Sequence, residues 1–142
     1  MTNIDKIVDI LKEEIVPAQG CTEPIAIAYV SAKVAEVLGN TPDKIDIYVS
    51  GNMIKNVKSV SIPNSEGMVG IEASAALGAV AGDASEELMV ISKLTSDCIK
   101  KVKEYISTHE INVIHEKTDV KLYVKIEAFY KDETALVEIK HF

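Results

Sequence analysis

A helix with apolar side chains on almost every side constrains the fold of this chain more than any other feature. Residues 25–30 read Ile-Ala-Ile-Ala-Tyr-Val within a segment, 23–38, that carries helical start and stop signals. Thr22 is a good N-cap, and Gly39-Asn40 ends the segment. A helix without a polar face is stable only when it is buried. The sequence therefore predicts a buried helix rather than a surface one.

A second helix, predicted for residues 68–81, is built largely from small side chains. Gly70, Ser74, Gly78 and Gly82 recur at every fourth position and make one smooth ridge. Such a ridge lets another backbone approach closely. Each glycine inside a helix costs about 1 kcal/mol relative to alanine, so we expect close packing along the ridge to offset that cost.

The remaining patterns place helices mainly before strands. Apolar residues at helical spacing predict helices over 4–15 and from the N-cap Thr95 to Ile106, and Ser85 is suited to cap a short helix through Ile91. Alternating or apolar runs predict strands at 45–49, 111–115, 122–129 and 135–139. The breaks between the last three strands are short enough for antiparallel hairpins.

Grouped helices followed by grouped strands are typical of an α+β fold. The expected architecture has N-terminal helices packed on a mostly antiparallel sheet formed largely by the C-terminal strands. The chain has 142 residues, of which 47% are hydrophobic, and it shows no internal repeat or linker. A single domain over residues 1–142 is therefore expected.

Charge and hydropathy exclude several classes of partner. The net charge is −7, and all 15 basic residues are lysine. Since phosphate neutralisation supplies most nucleic-acid affinity, neither DNA nor RNA is an expected partner. No apolar run reaches the roughly 18 residues of a membrane span, and the polar N-terminus does not resemble a signal peptide. Two cysteines make no disulfide framework, so the expected location is the cytoplasm, with free thiols.

Cys21 is the sharpest candidate for chemistry. It follows Gly20 and stands one residue before the cap of the buried helix. Free backbone N–H groups and the helix dipole lower the pKa of a thiol at such a position. The resulting thiolate can act as nucleophile, general base or metal ligand. The alternative is a small buried apolar residue, which is the interpretation we favour for Cys98.

The segment Ser50-Gly51-Asn52-Met53-Ile54-Lys55-Asn56 is the second candidate. It leaves a predicted strand as a polar, turn-rich connection, where backbone and amide groups can surround a carboxylate or an amine. Lys55 would pair with the carboxylate of an amino acid. The alternative is an ordinary turn with a solvated lysine. The three histidines, His109, His115 and His141, have no ligand spacing and are expected to be structural or exposed.

Three blocks together resemble one known family. The first is Pro17–Ala26, with Gly-Cys-Thr-Glu-Pro at its centre; the second is Ser50–Asn56, and the third runs from Gly67 to Asp83. In order and approximate spacing they are similar to the N-terminal part of L-cysteine desulfidases and the related iron–sulfur serine dehydratase alpha-chain-like proteins.

The resemblance implies an iron–sulfur-dependent lyase that works without pyridoxal phosphate in amino-acid catabolism. Such enzymes convert L-cysteine to pyruvate, ammonia and sulfide, or L-serine to pyruvate, ammonia and water, using a 4Fe-4S cluster with one open iron. It further implies that Cys21 is the catalytic base or a thiol beside the cluster. The residues expected to orient this thiol or hold the small L-amino acid are Thr22, Glu23, Ser50, Asn52, Lys55 and Asn56.

Members of that family are much longer, and their cluster ligands are cysteines in the C-terminal part. Cys21 and Cys98 alone cannot ligate a cluster that needs three or four thiolates. The chain is thus expected to be a fragment, one half of a split enzyme or a shorter relative without the chemistry, and to be inactive alone. Its partner would be the missing cluster-binding region or a second subunit. The alternative is a non-catalytic small-molecule-binding or assembly domain that uses the glycine ridge as its interface; homo-oligomerisation stays open.

Overall fold

The computed structural model describes residues 4–11, 22–58, 60–62, 65–82, 91, 94–120 and 122–141. The helices in this part are α1 (Thr22–Leu38), α2 (Gly51–Val57), α3 (Ile71–Ala81) and α4 (Ser96–Thr108). The strands are β1 (Ile4–Leu11), β2 (Lys44–Ser50), β3 (Glu110–Glu116), β4 (Leu122–Tyr130) and β5 (Glu133–His141). The predicted α+β class is confirmed.

The described strands form one mixed sheet in the order β1-β5-β4-β2-β3. β4 runs antiparallel to both of its neighbours, β2 and β5. The two outer pairs, β1 with β5 and β2 with β3, are parallel. The sheet is therefore less antiparallel than the sequence predicts, although the C-terminal strands supply three of its members.

Rows of buried apolar side chains cross the middle of the sheet. Ile126 of β4 lies opposite Ile47 of β2 and Val137 of β5, and none of the three is exposed to solvent. Because side chains alternate along a strand, every second residue of these strands joins the same face. This face forms one wall of the core.

The helix α1 is buried as predicted. It packs against β4 and β5 on one side and against α3 on another. Ile27, Val30 and Val34 have no exposed surface. The helix ends where predicted, at Gly39, whose φ of 84° lies in the left-handed region that glycine adopts without strain.

The glycine ridge of α3 packs against α1, so the predicted close approach is confirmed. A β-carbon at Gly78 would overlap the backbone carbonyl of Ala28, and one at Gly82 would lie 3.1 Å from the β-carbon of Ala32. The buried hydroxyl of Ser31 donates a 2.6 Å hydrogen bond to the carbonyl oxygen of Ala75. This part of the ridge is therefore a contact between two helices of the chain, and its use as an interface to another molecule stays a prediction.

The predicted helix over residues 4–15 is wrong for its described part. Residues Ile4–Leu11 form β1, which pairs in parallel with β5 from Ile4 opposite Glu133 to Leu11 opposite Lys140. The segment is rich in isoleucine and valine, which favour strands, and its apolar spacing suits a helix as well. Pairing with the edge of β5 decides between the two. Residues 12–15 lie outside the described part.

The predicted hairpin between β3 and β4 is also wrong. The strand β2 lies between them in the sheet, so β3 and β4 are not paired and do not form a hairpin. The hairpin between β4 and β5 is confirmed, from Tyr130 opposite Glu133 to Leu122 opposite His141. Connection length alone did not separate the two cases.

The predicted cap of α4 is confirmed. The side chain of Thr95 accepts a hydrogen bond from the backbone N–H of Cys98, and Ile99 and Val102 are buried. The helix predicted from Ser85 lies outside the described residues, apart from Ile91. Among the helices that the structure describes, none combines the length and the apolar character required to span a membrane.

Candidate functional site

The segment predicted as a polar turn is a short helix, α2, and this corrects the turn interpretation of residues 51–56. Ser50 caps the helix, because its side chain accepts a hydrogen bond from the backbone N–H of Met53 at 3.3 Å. Met53 and Val57, one turn apart, are both fully buried. These two anchors fix which side of the helix faces the core.

The opposite side of α2 is polar. At about 100° per residue, Asn52, Lys55 and Asn56 fall within one arc of about 100°, with Lys55 opposite Met53 and Val57 and Asn56 nearest to Met53. Asn52 and Lys55 are exposed, and Asn56 is half-buried. We call these three residues the polar face of α2. Three of the predicted substrate-binding residues are thus brought together by the helix itself.

Glu23, from the first turn of α1, contacts this face. The side-chain amide of Asn56 donates a 2.9 Å hydrogen bond to Oε2 of Glu23. Glu23 is half-buried, and the described residues provide no hydrogen bond to its second oxygen, Oε1. The bond joins two of the three sequence blocks across 33 positions of the chain. The structure thereby brings four of the predicted site residues into one region.

Cys21 and its loop lie outside the described residues, so its predicted catalytic role stays a prediction. Thr22 is the first residue of α1, which places Cys21 directly before the helix. Glu23 follows Thr22 and carries the contact to Asn56. The polar face of α2 is therefore joined by one hydrogen bond to the turn of α1 that Cys21 precedes.

Ser50 has a different place from the other predicted substrate-binding residues. Only 1% of its surface is exposed, and its hydroxyl caps α2. Ser50 therefore has a structural role as the cap of α2, and its direct contact with substrate stays a prediction.

The third block comprises the end of the loop that precedes α3, which residues 65–70 form, and α3 itself. Glu66, Gly67 and Gly70 all have positive φ angles, of 59°, 89° and 101°. The buried hydroxyl of Ser65 ties the loop together by donating to the carbonyl of Ile62 at 2.6 Å and accepting from the N–H of Met68 at 3.0 Å. This loop directs α3 onto α1, and the block contributes to the site by positioning that helix pair.

The chain has too few cysteines to hold a 4Fe-4S cluster through its own thiolates alone. It has two cysteines in all, against the three or four thiolates that a 4Fe-4S cluster needs. Across the described ranges, no three histidine, cysteine, aspartate or glutamate side chains group together as metal ligands would. A cluster bound by three or four thiolates would therefore need cysteines from outside this chain.

Cys98 is half-buried in the first turn of α4 and is not a plain core residue. Hydrogen bonds from the side chain and backbone of Thr95 lower the pKa of the Cys98 thiol. Among the histidines, His109 stacks on Tyr105 with ring centroids 4.0 Å apart, which makes it structural as expected. His115 is exposed at the end of β3, beside the start of α2.

Sequence comparison finds long matches among bacterial proteins named UPF0597. The chain is 49% identical over 140 residues to UPF0597 protein FN1147 of Fusobacterium nucleatum, which covers 99% of this chain and 33% of that protein. It is 47% identical over 134 residues to a UPF0597 protein of Finegoldia magna, covering 94% of this chain and 32% of the relative. A UPF0597 protein of Treponema denticola is 42% identical over 137 residues, covering 96% and 32% respectively.

The chain spans about a third of the length of these relatives. No family model matches it, and no solved structure does. The names of the three relatives state no substrate or reaction.

Proposed function

We propose that this chain is the substrate-binding part of an iron–sulfur-dependent β-eliminating lyase that acts on L-cysteine or L-serine without pyridoxal phosphate. The hydrogen bond between Glu23 and Asn56 is the observation that supports this most strongly. It joins the Gly-Cys-Thr-Glu-Pro block to the polar segment after β2. Two blocks that are similar to one enzyme family thus meet in space around exposed polar side chains.

The polar face of α2 suits a small zwitterion. Lys55 offers a cation for the carboxylate of the ligand. The neighbouring Asn56 donates a hydrogen bond to the carboxylate of Glu23. The other oxygen of Glu23, Oε1, can accept a hydrogen bond from the ammonium group of the ligand. Asn52, exposed on the same face, adds an amide that both donates and accepts. An α-amino acid carries these two charges on one carbon, so one ligand can satisfy both.

The residues of this chain would bind the amino acid and move one proton. The thiolate of Cys21 takes the proton from Cα, and the C–H electron pair forms the Cα=Cβ bond as the C–S bond breaks. Sulfide leaves with the bonding pair and is protonated by solvent. The resulting aminoacrylate becomes an imine, which water hydrolyses to pyruvate and ammonia. Serine loses hydroxide, released as water, in the same way.

In this proposal, the iron–sulfur cluster is bound by residues outside this chain. Its ligands come from the remaining two thirds that the relatives possess, or from a second subunit. We place the reaction in the cytoplasm, where thiols stay reduced.

A chimera tests the proposal. This chain replaces the matching third of the Fusobacterium nucleatum relative, and the purified chimera is reconstituted anaerobically with iron and sulfide. We expect release of sulfide and pyruvate from L-cysteine, and loss of that release in Cys21→Ala with the absorption spectrum of the cluster unchanged. Full activity of Cys21→Ala would overturn the role of the thiol.

Asn56→Asp tests the substrate-binding face in the same assay. The substitution places a second carboxylate against Glu23 and removes the hydrogen bond that positions it. We expect the KM for L-cysteine to rise about tenfold, which corresponds to the loss of one charge-assisted hydrogen bond to the substrate. Asn40→Asp, an exposed asparagine just beyond α1, makes the same chemical change elsewhere and should leave KM unaltered. Equal KM values in both variants would argue against this face as the binding site.

A further inference from the structure

A histidine from a neighbouring strand lies against the start of α2. In the parallel register of β2 and β3, Val49 lies opposite His115, so the two strands end side by side at the point where α2 begins. Nε2 of His115 is 3.0 Å from the position that a β-carbon on Gly51 would occupy. The imidazole therefore rests on the bare backbone of the first residue of α2.

Glycine at position 51 leaves room for this imidazole, because a side chain there would crowd the ring. Gly51 is not among the residues with positive φ, so its backbone conformation does not require glycine. Glycine weakens a helix by up to about 1 kcal/mol relative to alanine. The lack of a side chain at residue 51 is what permits the close approach of His115.

His115 borders the polar face of α2. Gly51 and Lys55 are one helical turn apart and share one edge of that face, while Asn56 with Glu23 forms the other edge. His115 is exposed, and within the described ranges nothing forms a hydrogen bond to its ring. The next residue, Glu116, alternates to the opposite side of the sheet, so no carboxylate of its own strand competes for the ring.

We propose that His115 is a substrate-positioning residue of this site and hydrogen-bonds the carboxylate of the amino acid that Lys55 attracts. A neutral imidazole has one N–H donor and a protonated one has two, so the ring can donate to a carboxylate in either state. Lys55, on α2, would attract the carboxylate by its charge. His115, at the end of β3, would orient that carboxylate through a hydrogen bond. The inference rests on the proposed function, because it takes that function's substrate as the ligand.

An NMR titration of the 142-residue chain with L-serine separates this inference from the proposed function. We expect the ring signals of His115 and the side-chain amide signals of Asn52 and Asn56 to shift together, while the ring signals of His109 stay in place. Shifts of the asparagines without His115 would overturn the role of His115 and leave the proposed site intact. The absence of any shift would overturn both.

Variants test the role through affinity. We expect His115→Ala to weaken L-serine binding about tenfold, the effect of losing one hydrogen bond to a charged group, and His115→Gln to restore most of the affinity because its amide also donates. Gly51→Ala, which displaces the imidazole without removing it, should weaken binding as well. His109→Ala is the matched control and should bind normally. Unchanged affinity in His115→Ala would overturn the proposal.

Discussion

At the scale of single residues, the most demanding position is Gly78. A β-carbon there would overlap the carbonyl of Ala28, so the contact between α1 and α3 exists only because residue 78 has no side chain. The rigid backbone of a buried helix cannot move aside as a flexible side chain would. Glycine at this position is therefore a requirement of packing.

Gly78→Ala should lower the free energy of unfolding by at least about 2 kcal/mol, because it overpacks a buried helix contact. The measurement is urea denaturation. Gly67→Ala is the comparison without an overlap, because no atom lies within 4 Å of its β-carbon position; its φ of 89° still adds backbone strain of about 1–2 kcal/mol. If Gly78→Ala were as stable as the unaltered chain, the α1–α3 contact described above would be wrong.

Tyr105 links α4 to the turn before β2. Its ionisation should lower the free energy of unfolding at alkaline pH. Its hydroxyl donates a 2.6 Å hydrogen bond to the carbonyl of Pro42. Burial, and then the nearby carboxylate of Asp43, raise the pKa of Tyr105 above its usual value. The folded state thus holds the phenolic proton more tightly than the unfolded state. This contribution is complete below pH about 10 and is lost as the pH rises further.

Tyr105→Phe should therefore cost about 1 kcal/mol near neutral pH and make the decline of stability above pH about 10 shallower. Urea denaturation at a series of pH values measures both effects. Equal slopes above pH 10 in the two proteins would contradict the assignment to Tyr105.

At the scale of elements, helix caps were readable from the sequence and strand partners were not. Thr95 and Gly39 mark helix ends by local chemistry, and both predictions hold. Whether residues 4–11 form a helix or a strand depends on the free edge of β5, more than 120 positions away. Tertiary packing explains α2 as well. Its polar residues are typical of a turn, and the helix is stabilised because Met53 and Val57 are buried in the core.

The cap of α4 gives a test at this scale. Thr95→Ala should lower the free energy of unfolding by about 1 kcal/mol, since the N–H of Cys98 loses its acceptor, and Thr95→Ser should restore most of it. The same hydrogen-bonding residue lowers the pKa of the Cys98 thiol, so Thr95→Ala should also slow alkylation of Cys98 near neutral pH. Cys21→Ala provides the background in which Cys98 is the reacting thiol. An unchanged alkylation rate would contradict this account of the cap.

For the whole molecule, the α+β class could be predicted from the sequence, whereas the set of residues that forms the candidate site could be predicted only in part. The order of helices and strands was enough for the class, while the mixed sheet depends on β2 inserting between β3 and β4. The family resemblance singled out Glu23, Lys55 and Asn56, but only the fold shows the contact between Glu23 and Asn56. His115 carried no signal in the sequence, because its place beside Gly51 follows from strand register.

In the proposed function this chain supplies the substrate site of a β-eliminating lyase, and the products formed by the chimera are the sharpest test of that role. With L-cysteine, we expect equal amounts of sulfide, ammonia and pyruvate. The unaltered Fusobacterium nucleatum relative, assayed in parallel, should give the same equality. Failure of both proteins to release sulfide while their clusters are intact, or formation of alanine in place of pyruvate, would contradict the account.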